Sequence, residues 1–388
     1  MSLPLATQAQ TDFLIVGAGI AGASIAYWLA PHARVQVLER ESQPGYHSTG
    51  RSAALYMASY GGAQVRALSL ASLPFFTSPP LGFSDVRLIS ARGALMVARP
   101  DQIEALDAHW RMLSELSPSS RRLSAAQACE MLPLLRAEMT AGATYEPDAA
   151  DLDVHAIHQG FIKGMRRHGG LLACNAEVSA LHYDGDCWQV KASDKRNWSA
   201  KVLINAAGAW ADELGRMAGA KPIGLQPRRR SAFVFAPPQD VSVDKWPMTY
   251  GAGEDWYIKP EAGALQGSPA NADPVPPHDV QAEEMDIALA MHRIGEATTL
   301  TMRRPLRSWA GLRSFVADGG LVGGFDRQTP GFFWVAAQGG YGIQTAPAMG
   351  EACAALARGL ALPSHIAAHG LTEQMLGPNR VRSAAIDP

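Results

Sequence analysis

Net charge is almost absent from this 388-residue sequence, whose 34 basic and 36 acidic residues leave a formal charge of −2. A chain with so little excess of positive charge lacks the electrostatic footprint of a nucleic-acid-binding protein or of one that docks on an acidic membrane surface. Internal repeats and long low-complexity tracts are also missing. The hydrophobic content of 47% is ordinary for a soluble globular enzyme, and the length predicts two domains.

Cysteine is scarce, and its four positions lie far apart, at Cys129, Cys174, Cys187 and Cys353. Their spacing matches neither a CxxC motif nor a zinc site, so no metal is predicted. The start of the chain, at residues 1–4, has no basic segment of the kind that opens a signal peptide. We therefore expect reduced thiols and a cytoplasmic protein, with peripheral attachment to the inner membrane as an alternative.

Charged side chains are missing altogether from residues 13–31, so hydropathy alone would indicate a membrane span. This stretch contains Gly17, Gly19 and Gly22 at GxGxxG spacing, after an apolar strand-like run and before helical spacing. Gly17 permits a tight turn, Gly19 lets backbone amides approach a pyrophosphate, and Gly22 lets helix and strand pack closely. The stretch predicts a buried βαβ unit that binds a dinucleotide, and no membrane span.

Glu39 ends the second predicted strand, 39 − 17 = 22 residues after the first glycine. A carboxylate at this distance accepts hydrogen bonds from a ribose 2′-OH and would repel a 2′-phosphate. Two later segments resemble the first in pattern, namely the apolar strand and small-residue turn of 202–210 and the strand, glycine-rich turn and helix of 331–359. The first turn would let a nucleotide press against backbone. The second would aim backbone N–H groups at a ring that gains negative charge on reduction.

Other parts of the chain do not show this pattern of strand, small-residue turn and helix. We predict an α/β fold in which residues 1–86, 151–221 and 311–388 form a Rossmann-like nucleotide-binding domain from three segments. Residues 87–150 and 222–310 are predicted to form an α+β substrate domain with an antiparallel sheet and helices. The loop after Glu39 contains Ser48, Thr49 and Ser52. Their hydroxyl groups either donate to a phosphate or cap a surface turn, and the residues alone favour the cap.

Five segments in this order resemble FAD-dependent oxidoreductases of the D-amino-acid oxidase and glycine oxidase type: VGAGIAGASIAYWL with LER, HSTGRSAA, VLINAAGAW, AGLRSFVADG and AAQGGYGIQT. Within this family the chain is most similar, over nearly its full length, to the bacterial D-arginine dehydrogenases. The resemblance implies non-covalent FAD. The positions that it places at the cofactor are Gly17, Gly19, Ile20, Ala21, Gly22, Glu39, Arg40, Ser48, Thr49, Arg51, Ser52, Ala53, Val178, Ala207, Gly208, Trp210, Gly311, Arg313, Gly339, Gly340, Tyr341, Gly342, Ile343, Gln344 and Thr345.

The resemblance also implies an arginine pair, Arg229 and Arg313, that binds a substrate carboxylate through planar guanidinium forks. Tyr60 and Tyr257 match the active-site tyrosines of the family, with core packing as the alternative interpretation. The Gly311 carbonyl and the Gln344 side chain are expected to receive the substrate amine. For each arginine the alternative is an exposed, solvated side chain, and no residue is assigned as a general base.

Ala53, Leu55, Met57 and Ala94 complete the substrate positions, and three of them depart from the D-arginine dehydrogenases. Those enzymes carry a glutamate where this chain has Ala94, and a histidine and a threonine where it has Leu55 and Met57. A buried guanidinium without its carboxylate partner would lose several kcal/mol, so we expect a preference for hydrophobic D-amino acids over D-arginine.

The expected reaction is oxidative deamination, in which a hydride passes from Cα to flavin N5 and water then releases a 2-oxo acid and ammonia. Oxygen and a respiratory quinone both remain possible electron acceptors. An alternative activity is oxidation of secondary amines or imino acids, such as sarcosine-like compounds, N-alkyl amino acids or D-proline. A flavin-containing component of tRNA modification is disfavoured because no basic patch or RNA-binding module is present.

Overall fold

The computed structural model describes residues 10–383. The neutral start at residues 1–4 and the outermost residues of the predicted first domain, 1–9 and 384–388, lie outside this range. Within the described residues, no helix is both long and apolar enough to cross a membrane.

Two groups of strands account for nearly all of the β-structure. The strands are β1 (Thr11–Val16), β2 (Val35–Leu38), β3 (Leu55–Tyr56), β4 (Ile89–Ala91), β5 (Ala94–Ala98), β6 (Arg121–Ser124), β7 (Gly142–Glu146), β8 (Ala150–Leu152), β9 (Leu171–Ala173), β10 (Val178–Tyr183), β11 (Trp188–Ala192), β12 (Asn197–Asn205), β13 (Gln226–Phe235), β14 (Met248–Gly251), β15 (Tyr257–Glu261), β16 (Ala264–Ser268), β17 (Asp273–Pro274), β18 (Arg307–Phe315), β19 (Val322–Phe325) and β20 (Phe332–Ala336).

The helices lie mainly between these strands and after the last of them. They are α1 (Ile20–Leu29), α2 (Ala63–Thr77), α3 (Ile103–Leu116), α4 (Ala125–Met131), α5 (Val154–Arg167), α6 (Ala211–Met217), α7 (Glu284–Ala297), α8 (Gly342–Ala357), α9 (Ser364–Ala367), α10 (Glu373–Leu376) and α11 (Asn379–Ser383). Side-chain caps stabilise the starts of α4 and α5: Ser124 and Gln127 form a capping box on α4, and the Asp153 carboxylate accepts from Ala156 N at the start of α5.

The first sheet is eight-stranded, and its centre is parallel. Strand β1 pairs in parallel with β2 and β12, β2 with β9, and β12 with β20. These strands are apolar on both faces because α1, α5 and α8 cover one side and further core lies on the other. The carboxyl ends of β1, β2, β12 and β20 therefore meet at one edge of the sheet, which is where parallel sheets bind ligands.

The second sheet is nine-stranded, with the path β17-β13-β16-β15-β14-β5-β7-β6 and with β18 paired to β13. It departs from the prediction in two respects. It is mixed, because β5 and β14 run parallel. Strand β18 pairs with β13 along its whole length, from Gln226 opposite Phe315 to Val234 opposite Arg307, so residues 311–315 lie in the second sheet and not with the first domain.

A small third sheet, β3-β8-β4, connects these layers. The last predicted helix also starts earlier than expected, since α8 begins at Gly342 and includes part of the predicted glycine turn. Pro347 is the sixth residue of α8, so the helix lacks the hydrogen bond that a backbone N–H there would donate to the Ile343 carbonyl. The α8 N-terminus consequently lies at the same sheet edge as the α1 N-terminus.

Candidate active site

Two adjoining cavities follow the carboxyl edge of the first sheet. The larger, of about 290 Å³, is lined by segments that follow β1, β2, β12 and β20, and the smaller, of about 100 Å³, extends it toward the second sheet. Six residues line both: Ile20, Ser48, Thr49, Leu312, Gln338 and Gly339. The two cavities thus form one elongated groove. We call the larger cavity the cofactor groove and the smaller one the substrate cavity.

The glycine turn after β1 is packed too tightly for side chains at two of its positions. Gly17 has φ +102°, and a Cβ there would lie 2.3 Å from the Ala206 carbonyl oxygen. A Cβ on Gly22 would lie 1.9 Å from the Gly17 carbonyl oxygen, so Gly22 serves packing and does not line the groove. Gly19 lines the groove at the α1 N-terminus, whose partial positive charge favours an anion.

Glu39 directly follows β2 and is buried, and each of its carboxylate oxygens accepts one hydrogen bond from a backbone N–H. Oε2 accepts from Ala18 N at 2.9 Å, and Oε1 accepts from Glu41 N at 3.0 Å. A carboxylate has further lone pairs, so Glu39 can still accept from a ribose hydroxyl. His158 Nε2 lies 2.8 Å from the Ala18 carbonyl oxygen, which holds the same turn from the α5 side.

The loop after β2 supports the groove through its hydroxyl groups. Thr49 Oγ1 accepts from Ile20 N at 2.9 Å, so it caps α1 from a distant part of the chain, and Ser48 Oγ donates to the Leu312 carbonyl at 2.7 Å. Arg51 lines the substrate cavity, but its guanidinium pairs with Asp279 and donates to the Val280 carbonyl. This loop therefore supplies a helix cap and part of the groove wall, and donation to a phosphate stays a prediction.

Most predicted cofactor positions line the cofactor groove or the substrate cavity. In the groove lie Gly17, Gly19, Ile20, Ala21, Glu39, Arg40, Ser48, Thr49, Val178, Ala207, Gly208, Trp210 and Gly339. In the substrate cavity lie Arg51, Ser52, Ala53, Gly311, Arg313, Gly340, Gly342 and Ile343, together with Tyr257.

Arg229 does not line the substrate cavity, and its predicted position there is wrong. Its guanidinium forms ion pairs with Asp273, Glu283 and Asp286 on the face of the sheet that α7 covers. Side chains alternate between the faces of a strand, so Arg229 and Arg230 on β13 point to opposite sides. The cavity is lined instead by Arg230, which lies opposite Gly311 in the β13–β18 ladder.

Arg230 and Arg313 are two largely buried cations close to each other. Burial, and then the charge of Arg313, lower the pKa of Arg230 to about 10, which still leaves it protonated at neutral pH. Burial also opposes the charge of Arg313, but the phenol oxygens of Tyr60 and Tyr257 outweigh it and raise the pKa of Arg313 above its usual value. Within residues 10–383, no carboxylate forms an ion pair with either guanidinium.

Tyr60 and Tyr257 lie next to this cationic pair. Tyr60 Oη accepts from Arg313 Nη1 at 3.2 Å, and the Tyr60 ring packs against Tyr341 with ring centres 5.0 Å apart. Tyr257 is buried, lines the cavity, and accepts from Gln266 Nε2 at 3.3 Å.

Gln344 and Thr345 do not reach the cavity, which corrects their predicted contacts. Gln344 Oε1 accepts from Met57 N at 3.2 Å, and Nε2 donates to Ser69 Oγ at 2.7 Å, so the buried amide is fully used within the protein. Thr345 Oγ1 donates to the Tyr341 carbonyl inside α8. Because α8 begins at Gly342, both residues lie on its buried side instead of in a loop. Tyr341 packs beside Tyr60 and lines neither cavity, and burial raises its pKa to about 12.

The three apolar residues Leu55, Met57 and Ala94 lie together. Met57 and Ala94 pack in one cluster with Ala149, and Leu55, Tyr60, Met248 and Tyr250 contact it. Tyr60 belongs to this cluster and also contacts Arg313, so the apolar cluster adjoins the cationic end of the cavity. None of Leu55, Met57 and Ala94 lines the cavity itself in this structure.

Four residues that line the substrate cavity were not predicted from the sequence: Arg230, Ala232, Leu312 and Gln338. Arg230 is the charged one among them. The available signal was strand period, since Arg230 shares a face of β13 with Arg228, which lies opposite Arg313. The run of three arginines does not by itself show that it belongs to a strand, whereas in the structure all three lie within β13.

The groove suits a dinucleotide such as FAD. It offers Gly17, where a side chain cannot fit, one helix N-terminus for a pyrophosphate, and a carboxylate with free lone pairs for a ribose. Gly17, Gly19, Thr49 and Glu39 would hold the nucleotide part. Gly311, Gly340 and Ile343 would lie toward the ring, where the groove meets the two arginines.

Comparison with known proteins identifies chains with related sequences. The family model described as DAO, FAD dependent oxidoreductase, matches residues 12–356. L-2-hydroxyglutarate dehydrogenase of Salmonella houtenae is 27% identical over 232 residues, which are 58% of this chain and 54% of that protein. The match thus spans about half the length of that relative. Glycine oxidase of Geobacillus kaustophilus is 23% identical over 348 residues, which are 87% of this chain and 90% of that protein.

Solved structures share the architecture. The crystal structure of L-proline dehydrogenase from P. horikoshii superposes with a TM-score of 0.81 at 20% identity, covering 97% of this chain and 98% of that one. The crystal structure of the Geobacillus kaustophilus glycine oxidase superposes with a TM-score of 0.78 at 21% identity, covering 90% of this chain and 95% of that one. These likenesses confirm the predicted α/β fold.

Proposed function

Since this chain belongs to the family of FAD dependent oxidoreductases, we propose that it oxidises the Cα–N bond of D-amino acids with apolar side chains. The family match, over residues 12–356, confirms the predicted FAD cofactor and supports an oxidoreductase activity. The choice of an amino acid, its stereochemistry and its side chain are our proposal, as is the closer kinship with D-arginine dehydrogenases.

The observation that carries this proposal is the pair Arg230 and Arg313. Two buried guanidinium groups without a carboxylate partner among the described residues leave a site of excess positive charge at the end of the cofactor groove. A buried charge is costly unless it is paired, so the pair favours an anionic ligand that supplies the counter-charge. An α-carboxylate matches the planar guanidinium fork.

The protein's contribution to the reaction would be position and exclusion of water. Arg230 and Arg313 would hold the carboxylate, and Tyr60 would orient Arg313. The Gly311 carbonyl is not assigned to the amine, because it points toward β13, whereas the neighbouring carbonyls of Ala310 and Leu312 point away and accept from Arg51 and Ser48. FAD, when bound, would accept the hydride from the substrate α-carbon. Water then hydrolyses the imino acid to a 2-oxo acid and ammonia.

The apolar cluster at Leu55, Met57 and Ala94 supports the side-chain preference. The cluster adjoins Tyr60, and its acidic neighbour Glu146, opposite Ala94, is already occupied by hydrogen bonds from Ala58 and Ser59. A cationic substrate side chain would lose its hydration there without gaining an ion pair. An apolar side chain would gain roughly 25 cal/mol for each Å² of apolar surface that it buries.

Anaerobic mixing of the FAD-loaded protein with a substrate panel tests the proposal. We expect D-leucine, D-methionine or D-phenylalanine to remove the oxidised-flavin absorbance faster than D-arginine and D-lysine, with L-enantiomers inactive. Higher kcat/KM for D-arginine or D-lysine would contradict the side-chain assignment. The panel also includes 2-hydroxy acids, because the Salmonella houtenae relative is an L-2-hydroxyglutarate dehydrogenase. Reduction of the flavin by 2-hydroxy acids alone would contradict the amine chemistry.

The same panel separates the alternative activity. D-proline and N-methyl amino acids represent the secondary amines, and L-proline belongs in the panel because of the structural likeness to an L-proline dehydrogenase. Preference for N-methyl over primary amino acids would favour that alternative. Hydrogen peroxide formation against dye reduction during turnover would distinguish oxygen from a quinone as electron acceptor.

A further inference from the structure

Glu146 is a buried carboxylate that has no part in the groove or the cavity. It ends β7, lies directly opposite Ala94 across the β5–β7 ladder, and is 2% exposed. Among the described residues it forms no ion pair with a basic group. A carboxylate left in such a place needs hydrogen-bond donors, and the identity of those donors indicates what it does.

All of its recorded donors belong to one turn. Glu146 Oε1 accepts from Ala58 N at 2.8 Å and from Ser59 N at 3.4 Å, and Oε2 accepts from Ser59 Oγ at 2.5 Å. Burial raises the pKa of Glu146, whereas the hydrogen bonds from Ser59 and Ala58 act to lower it. Both carboxylate oxygens are thus directed at residues 58 and 59.

This turn carries Tyr60 to the substrate cavity. It follows β3, and Tyr60 N donates to the Met57 carbonyl at 3.3 Å, which closes the turn. Tyr60 Oη in turn accepts from Arg313 Nη1. An unbroken series of contacts therefore runs from Glu146 through the backbone of residues 58–59 to Tyr60 and then to Arg313.

On the basis of the proposed function, we propose that Glu146 is a positioning residue for substrate binding. By fixing the turn of residues 57–60, it holds Tyr60 against Arg313 and so presents the Arg313 guanidinium to the substrate carboxylate. It touches neither substrate nor cofactor. Glu146 affects substrate binding only through Tyr60. Because a general contribution to folding would not depend on Tyr60, this dependence distinguishes a positioning role from a structural one.

A double-mutant cycle between Glu146→Gln and Tyr60→Phe tests the proposal. The readout is the Kd of isovalerate, the carbon skeleton of valine without its amine, measured from the perturbation of the flavin absorbance. We expect Glu146→Gln to weaken isovalerate binding about tenfold, the usual effect of losing one well-formed hydrogen bond. In the Tyr60→Phe background the same change should weaken it by less than about twofold, because the contact it supports is already lost.

Thr144→Val is the matched control. Thr144 lies on the same strand two residues earlier, is equally buried, and its hydroxyl has no recorded hydrogen-bond partner. The variant should bind isovalerate as the wild type does. If Glu146→Gln fails to fold, Ser59→Ala removes one donor of the carboxylate instead and should show the same dependence on Tyr60 with a smaller effect, about threefold.

The outcomes distinguish the two proposals. Equal weakening by Glu146→Gln, or by Ser59→Ala, in both Tyr60 backgrounds would show a general structural effect and overturn the positioning role. An unchanged Kd in the Glu146→Gln variant would also overturn it, with the proposed function intact. Failure of isovalerate to perturb the wild-type flavin would contradict the carboxylate site itself and remove both. In steady state, the supporting result is a raised KM with kcat changed by less than about threefold.

Discussion

Three consecutive arginines on β13 have three different environments. Arg228 lies over the Phe315 ring at 5.7 Å, Arg229 pairs with three carboxylates beneath α7, and Arg230 enters the substrate cavity. Their chemistry is identical, so only strand alternation and the neighbouring elements separate them. At the residue scale this makes Arg229 an internal control for Arg230.

Arg230→Met should impair carboxylate binding far more than Arg229→Met does. Removing a charge-assisted contact costs about 1.5–3 kcal/mol, so we expect KM to rise by one to two orders of magnitude in Arg230→Met. Arg229→Met should keep KM within about twofold while lowering stability, because it leaves buried Asp286 without its cation. Steady-state kinetics and urea unfolding check both halves. A larger KM effect from Arg229→Met would contradict the assignment.

Gly340 is a residue where a single methyl group should disturb binding. A Cβ there would lie 2.9 Å from Arg313 Nη1 and 3.2 Å from Tyr60 Oη, closer than such contacts normally allow. We expect Gly340→Ala to displace the Arg313 guanidinium and to raise the Kd of isovalerate about tenfold, as for a lost hydrogen bond. Gly62→Ala is the control, since a Cβ at Gly62 meets nothing within 4 Å. Equal Kd values in the two variants would refute the prediction.

At the scale of elements, the β5–β7 pair combines the apolar wall with its support. Ala94 lies between Met248 on β14 and Glu146 on β7, in one row across the sheet. The row presents methyl and thioether groups beside Tyr60, while the carboxylate of Glu146 is occupied by the turn. The residue at position 94 of β5 therefore sets the polarity of this apolar wall, and a substitution there leaves the Arg230–Arg313 pair in place.

Ala94→Glu should reverse the side-chain preference by restoring a carboxylate to this wall. We expect kcat/KM for D-arginine to rise and that for D-leucine to fall, each by about tenfold or more, because an ion pair replaces apolar contact. The neighbouring carboxylate of Glu146 disfavours a second negative charge, so the gain should increase with pH as the new glutamate ionises. Ala94→Gln, of similar size and without charge, is the control. A similar gain in Ala94→Gln would exclude the ion pair as its cause.

At the scale of the whole molecule, the buried carboxylate of Asp326 connects α11 to the first sheet. Asp326 accepts from Trp334 Nε1 at 3.0 Å, from Arg382 Nη2 at 2.6 Å, and from the amides of Gln328 and Thr329. Burial opposes its ionisation, but the hydrogen bonds from Arg382 and Trp334 outweigh burial and hold the pKa of Asp326 below its usual value.

Asp326→Asn should destabilise the protein at neutral pH by about 3 kcal/mol, since removing one partner leaves Arg382 buried and unpaired. A carboxyl with a lowered folded-state pKa contributes stability above its unfolded value of 3.8, and this contribution is lost as pH falls through the folded value. The difference in unfolding free energy between wild type and variant should therefore narrow below about pH 4. Urea unfolding at pH 7, 5 and 3 measures it, and a constant difference would contradict the prediction.

Local chemistry was sufficient for the nucleotide half of the site. The strand before Gly17, the close packing required at Gly17 and Gly22, and the position of Glu39 all depend on residues near one another in the chain. The sequence by itself therefore determined the α/β class, the dinucleotide groove and, through family resemblance, the FAD cofactor.

The substrate half was decided only by the tertiary structure. Whether Arg229 or Arg230 meets Arg313 depends on the register of β13 against β18, a strand that comes much later in the chain, and a shift of one residue reverses every side chain. Gln344 lies outside the substrate cavity because α8 begins at Gly342 and directs the Gln344 side chain into the protein core. Both outcomes depend on long-range packing, which a local pattern does not encode.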